Sequence, residues 1–254
     1  MSEEPESTVS EDEPPALETD SPPLEALEPV IDEDYQPDAT EEPEADITPD
    51  PSPEKPPRAT KEPDIDSRTA FEKQQDQNKD FIAWITIPGT PVDYPVVQSN
   101  NSDYYLSHPF TGSKSKLGCL FSLKNANYRL PGRNIAIYGH HLSASDAMFS
   151  SLLNYKKPSY YDAHPTIHLH SLYHDSTYRI FAVLNMNISD WDPATASFSS
   201  DSAFLKFVNR AQKKAMYDTG ISVKAEDRIL TLITCDRDYG GVSGRFIVMA
   251  VLEN

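Results

Sequence analysis

The sequence predicts a mostly β domain that follows a long acidic tail. After residue 66, short segments rich in β-branched and aromatic residues recur at strand length, and they amount to seven or eight strands. Two longer segments have helical spacing instead. The predicted fold class is therefore mostly β, with an N-terminal helix and one longer helix before the strand that ends at Cys235.

The composition divides the chain at about residue 66. Residues 1–66 carry 23 Asp and Glu against three Lys and Arg, a net charge of −20, and they hold 14 of the 22 prolines but no glycine. The remaining 188 residues have a net charge of +2. So much charge with so little apolar surface cannot offset the entropy of folding. We therefore expect an extended, disordered tail at 1–66 and one folded domain at 67–254, and the overall negative charge says nothing about that domain's partners.

Simple features of the sequence argue against a membrane span, a signal peptide and a disulfide framework. No run of the sequence approaches 18 consecutive apolar residues, so no membrane span is predicted. The first residues, MSEEPES, lack the basic start and apolar core of a signal peptide. Two cysteines are too few for a disulfide framework. The 188 residues of the second part are enough for a single domain with its own core.

The first half of the predicted domain contains one helix and three strands. Ser67 can cap a helix that continues to about Asn78. The strands are predicted at Ala83–Ile87, Val92–Gln98 and Gly118–Ser122, and one helical turn is predicted at Asn101–Leu106. Cys119 lies inside the third strand between apolar neighbours, so we interpret it as a core residue.

The second half contains the other strands and the longer helix. Strands are predicted at Asn134–Tyr138, Tyr178–Met186, Ile229–Thr234 and Phe246–Leu252, and Phe246–Leu252 is expected to be buried on both faces because it is an unbroken apolar run. A short helix is predicted within 144–155. Residues 201–217 place Phe204, Leu205, Val208, Ala211 and Ala215 on one face, which predicts an amphipathic helix.

A group of histidines precedes the Tyr178–Met186 strand. His168 and His170 would share one face of a strand, an arrangement that could hold zinc. No cysteine or acidic residue except Asp175 stands at close ligand spacing. Surface histidines on an edge strand are therefore the favoured interpretation, and no metal site is predicted.

Three residues at strand ends could form a catalytic site. Cys235 ends one core strand and Arg245 begins the next, and a nearby cation favours the thiolate that acts as a nucleophile. The Asn134–Tyr138 strand leads into Gly139, His140 and His141, and a histidine at a sheet rim can act as an acid or base. A lone cysteine is more often a small core residue, so both interpretations of Cys235 stay open on this pattern alone.

These segments resemble the sortases, the cysteine transpeptidases of Gram-positive cell surfaces. The resemblance rests on IYGHHL at 137–142, TLITC at 231–235 and the arginine at 245, and it covers roughly 67–254. The order of WITIPGT, YPVVQ, YYL, YGH, TLITC and RF is most similar to class B. The resemblance implies a closed β-barrel in which His140, Cys235 and Arg245 are catalytic, with Cys235 as nucleophile and Arg245 as the cation that stabilises the oxyanion.

The implied reaction cleaves a C-terminal sorting motif of surface proteins through a thioacyl-enzyme and transfers the acyl group to an amine of peptidoglycan or a pilin. It needs no cofactor, metal or nucleic acid, and it implies a location on the extracellular face of the cell envelope, although no membrane anchor is visible in the sequence. A cysteine peptidase that uses water, and a non-catalytic binding module, are the alternatives. The chain departs from the class B pattern at Ile233, where serine is common, and at His141, where asparagine is usual.

Overall fold

The computed structural model describes residues 65–253 except 100–101, 113, 124–131, 144 and 172–173. The predicted tail at 1–66 lies outside the described residues, apart from its last two. The strands are β1 (Phe81–Thr86), β2 (Asp93–Ser99), β3 (Leu120–Leu123), β4 (Asn134–Tyr138), β5 (Thr166–Ser171), β6 (Asp175–Asn187), β7 (Ile229–Cys235) and β8 (Gly244–Leu252). The α-helices are α1 (Ile65–Gln77), α2 (Ser102–Tyr105), α3 (Pro158–Ala163), α4 (Asp201–Lys214) and α5 (Arg237–Gly240).

The eight strands that the described residues form close into one barrel in the order β1-β2-β3-β4-β7-β8-β6-β5. The pairs β2–β3 and β4–β7 are parallel, and the other neighbours are antiparallel. The predicted closed, mostly β barrel with an N-terminal helix and a longer helix before β7 is confirmed. Among the described residues, every helix is too short or too polar to cross a lipid bilayer.

Strand β8 shows why the barrel has two apolar layers. Phe246, Val248 and Ala250 face the barrel interior, where they pack with β7 residues such as Leu230 and Leu232. Ile247, Met249 and Val251 face outward and pack under α4, whose buried residues are Phe204, Phe207, Val208 and Ala211. The prediction that this strand is buried on both faces is confirmed, because a helix covers the outer face of the sheet.

Helix α4 begins after a serine that caps its N-terminus. The Ser200 side chain accepts a hydrogen bond from the Ala203 amide. Asp201 lies in the first turn, where its negative charge interacts favourably with the positive end of the helix dipole. Lys213 and Lys214 occupy the last turn. The predicted helix is confirmed, but it ends at Lys214 because Ala215 already has extended backbone angles.

Three local predictions were wrong. Helix α1 begins at Ile65, so Ser67 lies inside the helix and does not cap it. The short helix predicted within 144–155 is not an α-helix but a 3-10 helix at Ser150–Lys156, preceded by a turn at 147–149. The strand of His168 and His170 is β5, which pairs with both β1 and β6 and is therefore not an edge strand.

Candidate active site

Cys235 and Arg245 are direct neighbours across two antiparallel strands. Strand β7 is buried over its first six residues, and Cys235, its last residue, is partly exposed. Arg245 is the second residue of β8, and its Cα is paired in register with that of Cys235. The hairpin thus brings a thiol and a guanidinium to one end of the barrel.

The connection between the two strands has a defined structure. The Asp236 amide donates to the Gly244 carbonyl at 3.0 Å, and the Asp236 carbonyl accepts hydrogen bonds from the Tyr239 and Gly240 amides. The Arg245 side chain belongs to the same turn, since its Nη1 donates to the carbonyl oxygens of Val242 and Gly244, both at 2.9 Å. The guanidinium is therefore held by backbone acceptors.

Arg237 contrasts with Arg245 in this connection. The short helix α5 lies between β7 and β8, with Arg237 as its first residue. The Arg237 side chain is exposed, whereas Arg245 is partly buried on a core strand.

Parallel pairing of β4 with β7 brings the histidine segment to the same end of the barrel. Tyr138 is in register with Ile233, and the Gly139 amide donates to the Ile233 carbonyl at 3.1 Å. The buried Thr234 hydroxyl donates to the Gly139 carbonyl at 2.8 Å. The residue before Cys235 is therefore hydrogen bonded to the residue before His140, which joins the two segments directly.

Only glycine fits at position 139, because there is no space for a Cβ atom. A Cβ at this position would lie 2.4 Å from Leu120 Cδ2 and 2.7 Å from Phe149 Cδ2, and both of those side chains are buried in the core. Its φ is not in the left-handed region. Close approach of these side chains, and not the backbone conformation, is therefore the reason for glycine at this position.

The His140 ring is held by the backbone of Leu106, a residue to which the sequence analysis gave no role at the site. Nε2 lies 2.7 Å from the Leu106 carbonyl oxygen, just after α2. A carbonyl can only accept, so Nε2 carries the proton in this contact, and Nδ1 is the nitrogen left for other chemistry. The ring also lies against Gly118, where a Cβ would be 3.1 Å from His140 Cδ2. Every residue has a carbonyl, so the sequence carries no signal for this partner.

Three more residues that the sequence analysis considered are Cys119, Ile233 and His141. Cys119 is 4% exposed, packs with Val97, Tyr105 and Phe121, and has a pKa raised by burial to about 12. Ile233, at the position where serine is common in class B, is buried and carries no hydroxyl. No hydrogen bond to the His141 ring is found among the described residues.

The histidines of β5 contact each other, one carboxylate and one hydroxyl among the described residues. The rings of His168 and His170 stack with centroids 6.2 Å apart on the barrel surface. His170 Nδ1 lies 3.1 Å from Asp175 Oδ1, and His168 Nδ1 lies 3.2 Å from the Thr177 hydroxyl. Burial, followed by the charge of His170, lowers the pKa of His168. In the part of the chain that the structure describes, no three His, Cys, Asp or Glu side chains are grouped as metal ligands.

Comparisons with known proteins agree with this architecture. A family model described as the sortase domain matches residues 85–253. Sortase B of Listeria monocytogenes serovar 1/2a is 32% identical over 179 residues, which cover 70% of this chain and 72% of that protein. Sortase B of Staphylococcus aureus is 30% identical over 188 residues, covering 72% and 74% respectively.

Solved structures show the same similarity in three dimensions. The structure of an S. aureus sortase B–substrate complex superposes with a TM-score of 0.69 and 28% identity, and the match covers 74% of this chain and 86% of that one. Clostridium perfringens sortase B superposes with a TM-score of 0.67 and 32% identity, covering 72% and 99%. The chain belongs to the sortase family and is a cysteine transpeptidase of the class B type.

Proposed function

We propose that this transpeptidase acts through Cys235, His140 and Arg245. The observation that carries the proposal is the junction at the barrel end, where Cys235 pairs in register with Arg245 and the Thr234 hydroxyl joins the cysteine segment to the histidine segment. Preorganised groups on rigid strands stabilise a transition state better than mobile ones. His141 and Arg237 are the competing neighbours, and among the described residues neither is held in this way.

The first half of the reaction cleaves the donor peptide. The Cys235 thiolate attacks the carbonyl carbon of a threonine in the donor peptide. A C–S bond forms, and the carbonyl oxygen becomes an oxyanion. Arg245 donates hydrogen bonds to that oxygen, an interaction that is strongest in the transition state. Both of its hydrogen bonds within the described residues use Nη1, which leaves N–H groups on Nη2 and Nε for the substrate. The Cys235 thiol gives its proton to His140 Nδ1 when the thiolate forms, and His140 passes that proton to the departing amine as the C–N bond breaks.

The second half transfers the acyl group. A primary amine attacks the thioester, His140 accepts its proton, a new C–N bond forms, and the Cys235 thiolate leaves. We infer that the donor is the sorting motif of a surface protein and that the acceptor is an amine of peptidoglycan or a pilin, on the extracellular face of the cell envelope. Two solved class B structures support a peptide donor and an amine acceptor, one being a substrate complex and another a complex with triglycine.

The arrangement of the chain suits such a location. We propose that residues 1–66 form an extended acidic linker and that 67–254 form the catalytic domain. Repulsion among the tail's 23 acidic side chains and its 14 prolines would keep this linker extended.

The test is turnover by four single variants with a fluorogenic peptide library cleaved after threonine and triglycine as the amine. His140→Ala and Arg245→Ala are each expected to lower kcat/KM by about a hundredfold or more. The matched controls His141→Ala and Arg237→Ala are expected to lose less than about tenfold. Cys235→Ala should form no thioacyl-enzyme, as read by intact mass.

Three outcomes would change the proposal. If His141→Ala or Arg237→Ala is the inactive member of its pair, the assignment of that role is wrong. A hydrolysed product that triglycine does not convert to a ligated one would identify a peptidase. A wild-type protein that forms no thioacyl-enzyme with any peptide would support a binding module.

A further inference from the structure

A buried ion pair lies directly behind the candidate nucleophile. Asp236 follows Cys235 in the chain, and its side chain is 0% exposed. Lys156 Nζ, at the end of the 3-10 helix Ser150–Lys156, lies 2.6 Å from Asp236 Oδ2, and the lysine side chain is 35% exposed. Neither motif comparison nor strand pattern singled out these two residues.

The lysine is the only compensation that the described residues offer this carboxylate. Neither Asp236 oxygen has a hydrogen-bond partner among them, so the contact with Lys156 is an ion pair by distance and not a directed hydrogen bond. A buried charge is costly unless it is paired, and removing one member of a buried pair leaves the other uncompensated. The position of Asp236 therefore depends on Lys156.

Asp236 also organises the backbone that joins Cys235 to Arg245. Its amide donates to the Gly244 carbonyl, and its carbonyl accepts from two amides of the following turn. Gly244 fits so closely here that a Cβ would lie 2.1 Å from the Asp236 carbonyl oxygen. A shift of Asp236 would therefore move the residue that precedes Arg245.

Lys156 lies beside two residues of the connected β7–β8 segment. Its ammonium pairs with Asp236, the residue after Cys235, and lies 5.9 Å from the ring centroid of Phe246, the residue after Arg245. Phe246 is itself fully buried in the barrel core. One cation thus holds the residue that follows each of the two reacting side chains.

We propose that Lys156 and Asp236 are positioning residues, which fix the spacing of the Cys235 thiol and the Arg245 guanidinium through the turn that joins them. The inference rests on the proposed function of those two side chains. It also assigns Asp236 to the lysine and not to the histidine, because His140 is oriented by the Leu106 carbonyl.

The test compares Lys156→Met, Lys156→Arg, the double variant Lys156→Met with Asp236→Asn, and the matched control Lys157→Met. Lys157 is the adjacent, exposed lysine. For each protein, kcat and KM are measured with the threonine-cleaved peptide library and triglycine. The second-order rate of alkylation of Cys235 by iodoacetamide is measured in parallel, because that reaction needs the thiol but not Arg245.

Lys156→Met is expected to lower kcat by about tenfold to a hundredfold, since a displacement near 1 Å has that effect on a positioned group, with KM changed less than about threefold. Lys156→Arg should stay within about threefold of the wild type, because it retains the cation, and Lys157→Met should match the wild type. The double variant has no unpaired charge and should be less impaired than Lys156→Met. Its kcat should still fall about tenfold, while alkylation of Cys235 stays within about threefold.

Two results would overturn the inference while the proposed function stands. One is a Lys156→Met protein with kcat within about threefold of the wild type. The other is a double variant in which alkylation falls in parallel with kcat, since that would indicate general loosening around Cys235. If Lys156→Met does not fold, the arginine and double variants carry the same comparison. A wild-type protein that leaves every peptide intact would overturn the proposed function, and this inference with it.

Discussion

Gly244 is the position where a single methyl group should most disturb the active end of the barrel. A Cβ there would lie 2.1 Å from the Asp236 carbonyl oxygen, 2.7 Å from the Gly240 amide nitrogen and 3.0 Å from the Gly240 Cα. Ordinary contacts of a Cβ begin near 3.4 Å. All three atoms belong to the backbone, so no side chain can rotate away. In Gly244→Ala, either the turn after Asp236 or the start of β8 has to move by about 1 Å.

The magnitude follows from what this movement reaches. Overpacking a tight site costs about 1–3 kcal/mol of the free energy of unfolding. For a domain of this size, each kcal/mol lowers Tm by roughly 2–4 °C. Arg245 is the next residue and Cys235 its cross-strand partner, so their separation changes as well. Misplacement of a catalytic group by about 1 Å can lower the rate a hundredfold, and we expect kcat/KM to fall by about that factor.

The assay pairs thermal unfolding with turnover of the threonine-cleaved peptides. Gly132→Ala is the control, since a Cβ there would meet its nearest neighbours at 3.7 and 3.8 Å, which is ordinary contact. We expect Gly132→Ala to change stability by less than about 0.5 kcal/mol and to keep full turnover. Equal Tm and turnover for the two alanine variants would refute the reasoning, because the turn would then be free to accept the methyl group.

Three further predictions concern the thiols, a buried tyrosine and the tail. Iodoacetamide at pH 7 to about pH 10 should modify Cys235 and spare Cys119, because burial raises the pKa of Cys119 to about 12, and equal labelling by peptide mapping would contradict this. Burial also raises the pKa of Tyr178 to about 12, so the unfolded chain loses that proton first and the free energy of unfolding falls from about pH 10 to 12. Urea titrations at pH 8 and about pH 11 should show a smaller fall for Tyr178→Phe, and an identical fall would show that this tyrosine is not a source of the effect. Deleting residues 1–64 should leave Tm and peptide turnover nearly unchanged, whereas a truncated protein that does not fold would place the domain boundary earlier.

Local sequence patterns determined the strands that carry the candidate site. Asn134–Tyr138 was predicted with the bounds that β4 has, and the predicted Ile229–Thr234 differs from β7 only by the final Cys235. Asn134–Tyr138 is a short, mainly apolar segment and Ile229–Thr234 is rich in β-branched residues, and both patterns depend only on neighbours in the chain. The amphipathic spacing of 201–217 identified α4 for the same reason. The candidate cysteine, histidine and arginine were therefore visible as strand-end residues from sequence alone.

Only the tertiary structure decided which strand ends meet. Periodicity indicates that a face is buried but not which segment covers it, so nothing local predicted that β4 lies parallel to β7. The bond between Thr234 and Gly139 joins residues 95 positions apart. The same limit explains the error at β5. Its surface histidines are typical of an edge strand, but closure of the barrel pairs β5 with a neighbour on each side. It also explains why Leu106 and Lys156 went unnoticed, since a backbone carbonyl and a lone lysine acquire their roles only where distant segments of the barrel pack together.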